Sequence, residues 1–210
     1  MSSDDTLSRG ERTRTAILDA AQALFLEQGY NGTSLRQIAQ RAGGIAVSGI
    51  YNHFESKEDI FRALLESCSP YPTVIEVLES VEGDSGPALL RAAFERLYPV
   101  VTSHLDFIQL ALIDYQEFEG ATIRELVGGV IPYLLAFVQQ LQTTGGLRDN
   151  LHPLVILRAF VCLFIGYTLT EQLGFKDGEP AIPSLPFLEG MSWQSVMLDV
   201  LLRGVADGEG

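Results

Sequence analysis

The stretch from Thr33 to Phe54 constrains the fold more than any other part of this sequence. Its first half places four apolar residues at the i, i+3, i+4 and i+7 spacing of one helical face: Leu35, Ile38, Ala39 and Ala42. Ser34 followed by Gln37 matches a capping box, which predicts where this helix begins. The glycines Gly43 and Gly44 predict its end. A second short helix after such a turn is typical of a helix-turn-helix.

The second half of the stretch separates into inward and outward residues. Ile45, Ile50 and Phe54 are expected to pack inward, together with the ring of Tyr51. Small or polar residues remain on the outer face: Ser48, Gly49, Asn52 and His53. Such a surface can lie against base edges and phosphates. The alternative from the pattern alone is a solvated turn between two core helices, because short matches to this motif also arise by accident.

The neighbouring sequence favours the DNA-binding interpretation. A helix is predicted before the stretch, over about 11–28, and Ser56 is predicted to cap a fourth helix after it. From about residue 12 to residue 61 the chain resembles the TetR family of bacterial transcriptional regulators. The segments that carry the resemblance are ILDAAQALFLEQGYNGTSLRQIAQRAG and IYNHFESKEDIF. Family members often run directly from Ala-Gly to Val-Ser, whereas Gly44 is additional here, so the turn is expected to be one residue longer.

The resemblance implies an all-α chain with two domains. These are a three-helix helix-turn-helix DNA-binding domain at 8–56 and a helical effector-binding and dimerisation domain at 57–207. It further implies a cytoplasmic, homodimeric repressor that binds a palindromic double-stranded DNA operator and releases it when a small hydrophobic or aromatic effector binds. Two alternatives stay open: a regulator controlled by a protein partner, and a helical ligand-binding protein without a DNA function.

Residues at the start of the first motif helix offer hydroxyl and N–H groups to a phosphate: Thr33 and Ser34. Arg36 lies on the outward face of the same helix. The candidates for contacts with base edges are Ser48, Gly49 and Asn52. The positions that resemble the family's phosphate contacts are Tyr51, His53 and Lys57. Three arginines near the start of the first helix could also reach phosphates, or could be solvated surface residues: Arg9, Arg12 and Arg14.

Helical spacing continues through the rest of the chain, and no strand is expected. The predicted helices lie at about 57–67 (with a continuation to 80 beyond the prolines), 88–103, 105–118, 122–143, 152–173 and 193–205. An effector pocket of apolar walls with few polar groups would draw on aromatic and polar residues of this part. The candidates are Phe94, Tyr98, His104, Phe107, Asp114, Phe118, Tyr133 and Phe137.

The helix predicted at 152–173 is hydrophobic nearly all round, so it must be covered on every side. This predicts one face in the core and another against a partner subunit. Together with the last helix it would form a four-helix dimer interface, as the resemblance implies. The candidate interface residues are Phe160, Leu163, Phe164, Tyr167, Val196 and Val200.

Charge is distributed unevenly along a chain whose net charge is −13. Residues 8–57 hold six bases and four acids, whereas residues 61–210 hold eight bases and 19 acids. A mildly basic end on an acidic body fits a protein that touches DNA through one end and argues against nonspecific coating of nucleic acid. Cys68 and Cys162 are expected to be reduced, buried thiols. No leader is recognised, and the uncharged centre of the most apolar stretch is too short to cross a bilayer.

An enzyme is not expected. Only three histidines are present, and the sequence has no nucleophile elbow, zinc-protease motif, P-loop or glycine-rich nucleotide turn. The cysteines lack metal-ligand spacing. We therefore predict no catalytic residues, no metal site and no cofactor.

Overall fold

The computed structural model describes residues 8–176, 179–180 and 193–206. Within these ranges the chain is built from ten helices: α1 (Arg9–Gly32), α2 (Leu35–Arg41), α3 (Val47–Ile50), α4 (Lys57–Ser67), α5 (Tyr71–Ser80), α6 (Gly86–Thr102), α7 (Leu105–Phe118), α8 (Ala121–Thr144), α9 (Pro153–Gly174) and α10 (Trp193–Val205). The all-α prediction is confirmed, and the predicted bounds agree closely. One pairing was not predicted, a two-residue antiparallel ribbon of β1 (Phe175–Lys176) and β2 (Glu179–Pro180).

Local capping explains why the first helices begin where they do. Ser8 and Glu11 form a reciprocal capping box at the start of α1, as expected from their spacing. Ser56 accepts a hydrogen bond from the N–H of Asp59 at the start of α4. Near the end of α1, Gly29 takes a left-handed φ of 76°, which interrupts the helix after residue 28.

Residues 8–69 and 106–128 pack as one compact unit, here called unit 1. It contains α1 to α4, α7 and the start of α8. Four aromatic side chains meet inside it with ring centroids 4.9–5.5 Å apart, and we call them the aromatic cluster: Phe25, Tyr30, Phe61 and Phe118. Phe25 and Phe61 are both 1% exposed. Edge-to-face contacts of this kind add to the stabilisation from burial alone.

Side-chain hydrogen bonds hold α7 against α1 within unit 1. The amide of Gln22 donates to Asp106 at 2.7 Å, and the amide of Asn31 donates to Glu117 at 2.6 Å. Both pairs join residues that are far apart in sequence. The three-helix motif therefore shares its compact unit with a helix that comes much later in the chain, after α5 and α6. The predicted division of the chain at residues 56 and 57 stays a prediction.

Residues 70–105, with the described residues from 129 onward, form unit 2. Its core gathers apolar side chains of α5, α6, α8, α9 and α10, with Phe94 stacked edge-on against Phe160 at 5.5 Å. Arg148 closes the end of α10: its backbone N–H donates to the carbonyl of Val205, and its side chain donates to the carbonyls of Ala206 and Arg203. These bonds satisfy carbonyl groups that a helix end leaves unpaired.

Helix α8 is long and apolar enough to cross a membrane by length and composition alone, a criterion that a core helix also meets. Val130, Phe137 and Leu141 of this helix belong to the unit 2 core.

The prediction that both cysteines are buried is wrong for Cys162, which is exposed. Cys68 is partly buried, and this burial raises the pKa of its thiol to about 11.

Candidate nucleic-acid interface

Both glycines of the motif turn adopt left-handed backbone conformations, with φ of 94° at Gly43 and 72° at Gly44. The N–H of Gly44 donates to the carbonyl of Gln40, and the N–H of Ile45 donates to the carbonyl of Ala39. Glycine reaches this region without steric cost. The additional glycine is thus used as a second left-handed residue between α2 and α3.

After the turn, α3 and the residues 51–53 that follow it form a segment that we call the reading segment, residues 47–53. It is anchored by Ile50, which is fully buried, and by Phe54, which follows it and is 3% exposed. The expected inward packing of these two residues is confirmed. The expected packing of the Tyr51 ring is wrong, because this side chain is 58% exposed.

Two of the four residues predicted on the outer face of the reading segment are exposed, Ser48 and Asn52. The other two, Gly49 and His53, are partly buried. A Cβ atom placed on Gly49 would meet only the Ile45 side chain, at an ordinary 3.9 Å. The chain itself therefore does not require glycine at this position, and the predicted close approach of DNA to its backbone stays a prediction.

At the start of α2 the predicted capping box is present. The N–H of Gln37 donates to Ser34 Oγ at 3.3 Å, and the N–H of Ser34 donates to Gln37 Oε1 at 2.8 Å. Ser34 and Arg36 are both exposed. Arg41 donates two hydrogen bonds of 2.6 Å to Glu27 and so ties α2 to α1. These bonds lower the pKa of Glu27.

Thr33 lies where a phosphate contact was predicted, but its side chain is turned inward. It is 2% exposed, and its hydroxyl donates to the carbonyl of Gly29 at 2.9 Å. The same hydroxyl accepts from the amide of Gln28 at 3.3 Å. Thr33 is therefore a structural residue between α1 and α2, and we do not retain it as a phosphate ligand.

Lys57 has a structural role that sequence reasoning missed. Its ammonium donates to the carbonyls of Tyr30 and Thr33, both at 2.8 Å, and lies 4.0 Å from the centre of the Tyr30 ring. Partial burial lowers the pKa of Lys57, and the carboxylate of Glu117 opposes that change. Because these partners are distant in sequence, no local pattern could have identified them. A phosphate would have to use the remaining N–H of this ammonium.

The predicted pocket residues are divided between the two units. Phe107, Asp114 and Phe118 belong to unit 1, and the other five belong to unit 2. Phe94 and Phe137 are buried in the unit 2 core, with Tyr98 and Tyr133 partly buried against it. His104 Nδ1 lies 2.6 Å from the carbonyl oxygen of Val100. Phe118 belongs to the aromatic cluster, so we do not retain it as a pocket residue.

Asp114 is the buried carboxylate of unit 1. Its side chain is fully buried, and Oδ2 accepts a hydrogen bond of 3.1 Å from the N–H of Ile123 in the first turn of α8. Oδ1 has no hydrogen-bond partner within the part of the chain that the structure describes. Asp114 thus acts as a cap for α8, and its predicted contact with an effector stays a prediction.

The predicted interface residues fall into three groups. Leu163 and Val200 are 38% and 63% exposed, and Val196 is partly buried. Phe160 is only 5% exposed within one chain, so it has no surface left for a partner and its assignment is wrong. The side chains of Phe164 and Tyr167 lie outside the described residues. Four further apolar residues of α9 are exposed and were not among the candidate interface residues: Leu154, Val155, Val161 and Ile165.

Comparison with known sequences identifies the motif domain. The model of the family described as "Bacterial regulatory proteins, tetR family" matches residues 17–64, which run from α1 into α4. This segment therefore matches the TetR family. Within the described residues of the chain, no group of three or more His, Cys, Asp or Glu side chains is placed to hold a metal ion.

Two curated relatives resemble part of this chain. The HTH-type transcriptional repressor BepR of Brucella suis biovar 1 (strain 1330) is 45% identical over 60 residues, 29% of this chain and 28% of BepR. The biofilm operon icaADBC HTH-type negative transcriptional regulator IcaR of Staphylococcus aureus (strain Newman) is 31% identical over 106 residues, 50% of this chain and 56% of IcaR. The matches thus span less than two thirds of either relative.

A solved structure resembles this chain over nearly all of its length. It is that of NalD, the secondary repressor of the MexAB-OprM multidrug efflux pump in Pseudomonas aeruginosa. The identity is 26%, the TM-score is 0.65, and the alignment covers 94% of this chain and 98% of that one. The helical fold therefore extends well beyond the segment 17–64 that the family model matches.

Proposed function

We propose that this protein is a DNA-binding transcriptional repressor of the bacterial cytoplasm and has no enzymatic activity. The observation that carries the proposal is the exposed polar surface of the reading segment, with Ser48, Tyr51 and Asn52 outward and Ile50 buried beneath them. A short segment held rigidly on a core can enter a major groove and present such side chains to base edges and phosphates. The description of BepR and IcaR as transcriptional repressors supports this proposal.

The proposed contacts follow from exposure and chemistry. Base edges would be read by Ser48, Gly49 and Asn52, and phosphates would be bound by Ser34, Arg36, Tyr51 and His53. Lys57 would contribute chiefly by joining the start of α4 to the end of α1 and the residue that follows it, through the carbonyls of Tyr30 and Thr33. A substitution of Lys57 would therefore change the fold and the DNA contact together, which makes it a poor first probe.

Tyr51 is the sharper probe, because its exposed side chain can change without disturbing the core. In Tyr51→Phe we expect operator affinity to fall about 2- to 12-fold per half-site, the effect of losing one hydrogen bond of about 0.5–1.5 kcal/mol in each. Fluorescence anisotropy at fixed salt, with DNA selected from a random pool, measures this change. The matched control is Tyr115→Phe, because Tyr115 is 72% exposed on α7 and lies outside the proposed interface. Selection of no sequence by the unsubstituted protein would contradict the proposed function.

We further propose that the protein binds its operator as a homodimer. The exposed apolar residues of α9 and α10, among them Val155, Leu163 and Val200, would be covered by the same helices of a second copy. A twofold dimer reads two half-sites about 34–36 Å apart, so the selected DNA is expected to contain an inverted repeat with that spacing. Selected sites without twofold symmetry, or a monomeric mass in sedimentation, would contradict the dimer.

The proposed signal is a small hydrophobic or aromatic molecule that binds among the helices of unit 2 and weakens operator binding. The supply of aromatic side chains in unit 2, including Phe94, Tyr98 and Tyr133, supports a ligand of this chemistry. Coupling of about 1–3 kcal/mol would change DNA affinity about 5- to 150-fold. A screen of such molecules in the anisotropy assay tests this, and control by a protein partner is favoured if every molecule leaves the affinity unchanged.

A further inference from the structure

Arg14 of α1 lies against the end of the reading segment. Its guanidinium carbon is 5.0 Å from the centre of the Phe54 ring, and Phe54 directly follows His53. One helical turn earlier, a Cβ atom on Gly10 would lie 3.9 Å from Cε1 of His53. The first turns of α1 therefore run beside the same end of the reading segment, although the two are far apart in sequence.

The stacked position fixes the Arg14 side chain without using its hydrogen-bond donors. Phe54 is buried at 3% exposure, so its ring is packed within the core, while Arg14 is exposed. A cation stacked on an aromatic face keeps the N–H groups at its edge available. Two other arginines of unit 1 differ, since Arg41 pairs with Glu27 and Arg62 with Glu58. In the described part of the chain no carboxylate pairs with Arg14.

We propose that Arg14 binds a DNA phosphate beside the bases that the reading segment contacts, and that Phe54 positions it for this. The inference rests on the proposed function, and it names a residue outside the helix-turn-helix itself. The reading segment contains neither lysine nor arginine. A guanidinium held at its edge supplies the positive charge that the segment lacks, in the planar geometry that matches a phosphate.

The salt dependence of binding tests this assignment directly. Each phosphate contact contributes about 0.9 to the slope of log Kobs against log salt concentration, because binding releases condensed counterions. In Arg14→Ala we expect the slope to fall by about 0.9 per half-site and the affinity at low salt to fall about tenfold or more. Anisotropy titrations at four or five salt concentrations measure both quantities.

Arg91→Ala is the matched control. Arg91 is exposed on α6 and carries the same charge, but it belongs to unit 2, outside the unit that holds the reading segment. The slope for Arg91→Ala is expected to stay close to that of the unsubstituted protein. Arg14→Lys keeps the charge without the planar fork, so we expect it to retain most of the slope with weaker binding. Thermal melting of each variant verifies that the fold is retained.

The outcomes separate the inference from the function on which it rests. If the unsubstituted protein selects DNA and Arg14→Ala keeps the same slope, or loses no more than Arg91→Ala, Arg14 is not a phosphate contact. A lower affinity with an unchanged slope would also overturn the assignment, because it would mean that Arg14 only supports the fold. If the unsubstituted protein binds no DNA, the proposed function is wrong and the inference is wrong with it.

Discussion

Replacing Phe61 by alanine is expected to destabilise unit 1 by about 3–5 kcal/mol, the range for truncating a buried aromatic side chain. Phe61 is 1% exposed, and its ring lies 5.4–5.5 Å from those of Phe25, Tyr30 and Phe118. Its removal leaves a cavity among three helices, α1, α4 and α7, that cannot all move inward together. Native-state hydrogen exchange of amides in α1 and α4 measures the change in local opening free energy.

The control for Phe61→Ala is Tyr115→Ala, which removes an aromatic ring of similar size from the surface of the same unit. Tyr115 is 72% exposed, so its loss is expected to change stability by no more than about 0.5 kcal/mol. A loss below about 1 kcal/mol in Phe61→Ala would mean that the aromatic cluster is not a close-packed core. If Phe61→Ala lost so little stability and still bound DNA more weakly, partial unfolding could not explain the weaker binding.

Replacing Gly86 by alanine is expected to destabilise unit 2 by about 1–3 kcal/mol through overpacking. A Cβ atom there would lie 2.6 Å from Cγ of Leu147 and 2.8 Å from the carbonyl oxygen of Gly145. That carbonyl also accepts the N–H of Gly86 at 2.7 Å, so the backbone cannot retreat without breaking the bond that joins the two segments. Urea denaturation followed by circular dichroism measures the loss.

The matched substitution in unit 2 has the opposite expected sign. Gly129 lies inside α8, and a Cβ atom on it would meet nothing within 4 Å. Gly129→Ala should therefore stabilise the chain by about 0.5–1 kcal/mol, because alanine loses less backbone entropy in a helix than glycine does. If Gly86→Ala and Gly129→Ala changed the free energy of unfolding equally, the lack of space at Gly86 would not be the cause of the change.

The parts of this structure that sequence predicts are those that local spacing determines. The capping box of Ser34 and Gln37, the glycine turn and the burial of Ile38 and Ile50 all depend on residues within one or two helical turns. Helical periodicity indicates which side of a helix is buried, and for these residues it was sufficient. The helix bounds from α4 to α10 were predicted closely for the same reason.

What sequence could not provide is the partner that covers each buried side. Phe160 and Phe118 lie on apolar stripes, and periodicity does not distinguish the core of one chain from a dimer interface or a pocket. The bonds from Lys57 to Tyr30 and from Asn31 to Glu117 join residues so distant in sequence that no spacing rule relates them. The exposure of Tyr51 likewise depends on how a short helix ends rather than on its period.

The interrupted sequence of unit 1 affects how the DNA-binding part could be isolated or made. During synthesis, Tyr30 and Phe61 leave the ribosome well before Phe118, so the aromatic cluster stays incomplete until α7 has been translated. A fragment that stops after α4 would carry the whole helix-turn-helix and still expose one side of that cluster to water. A piece of the chain with a complete aromatic cluster thus needs α7 as well as α1 to α4, and it is not a contiguous N-terminal fragment.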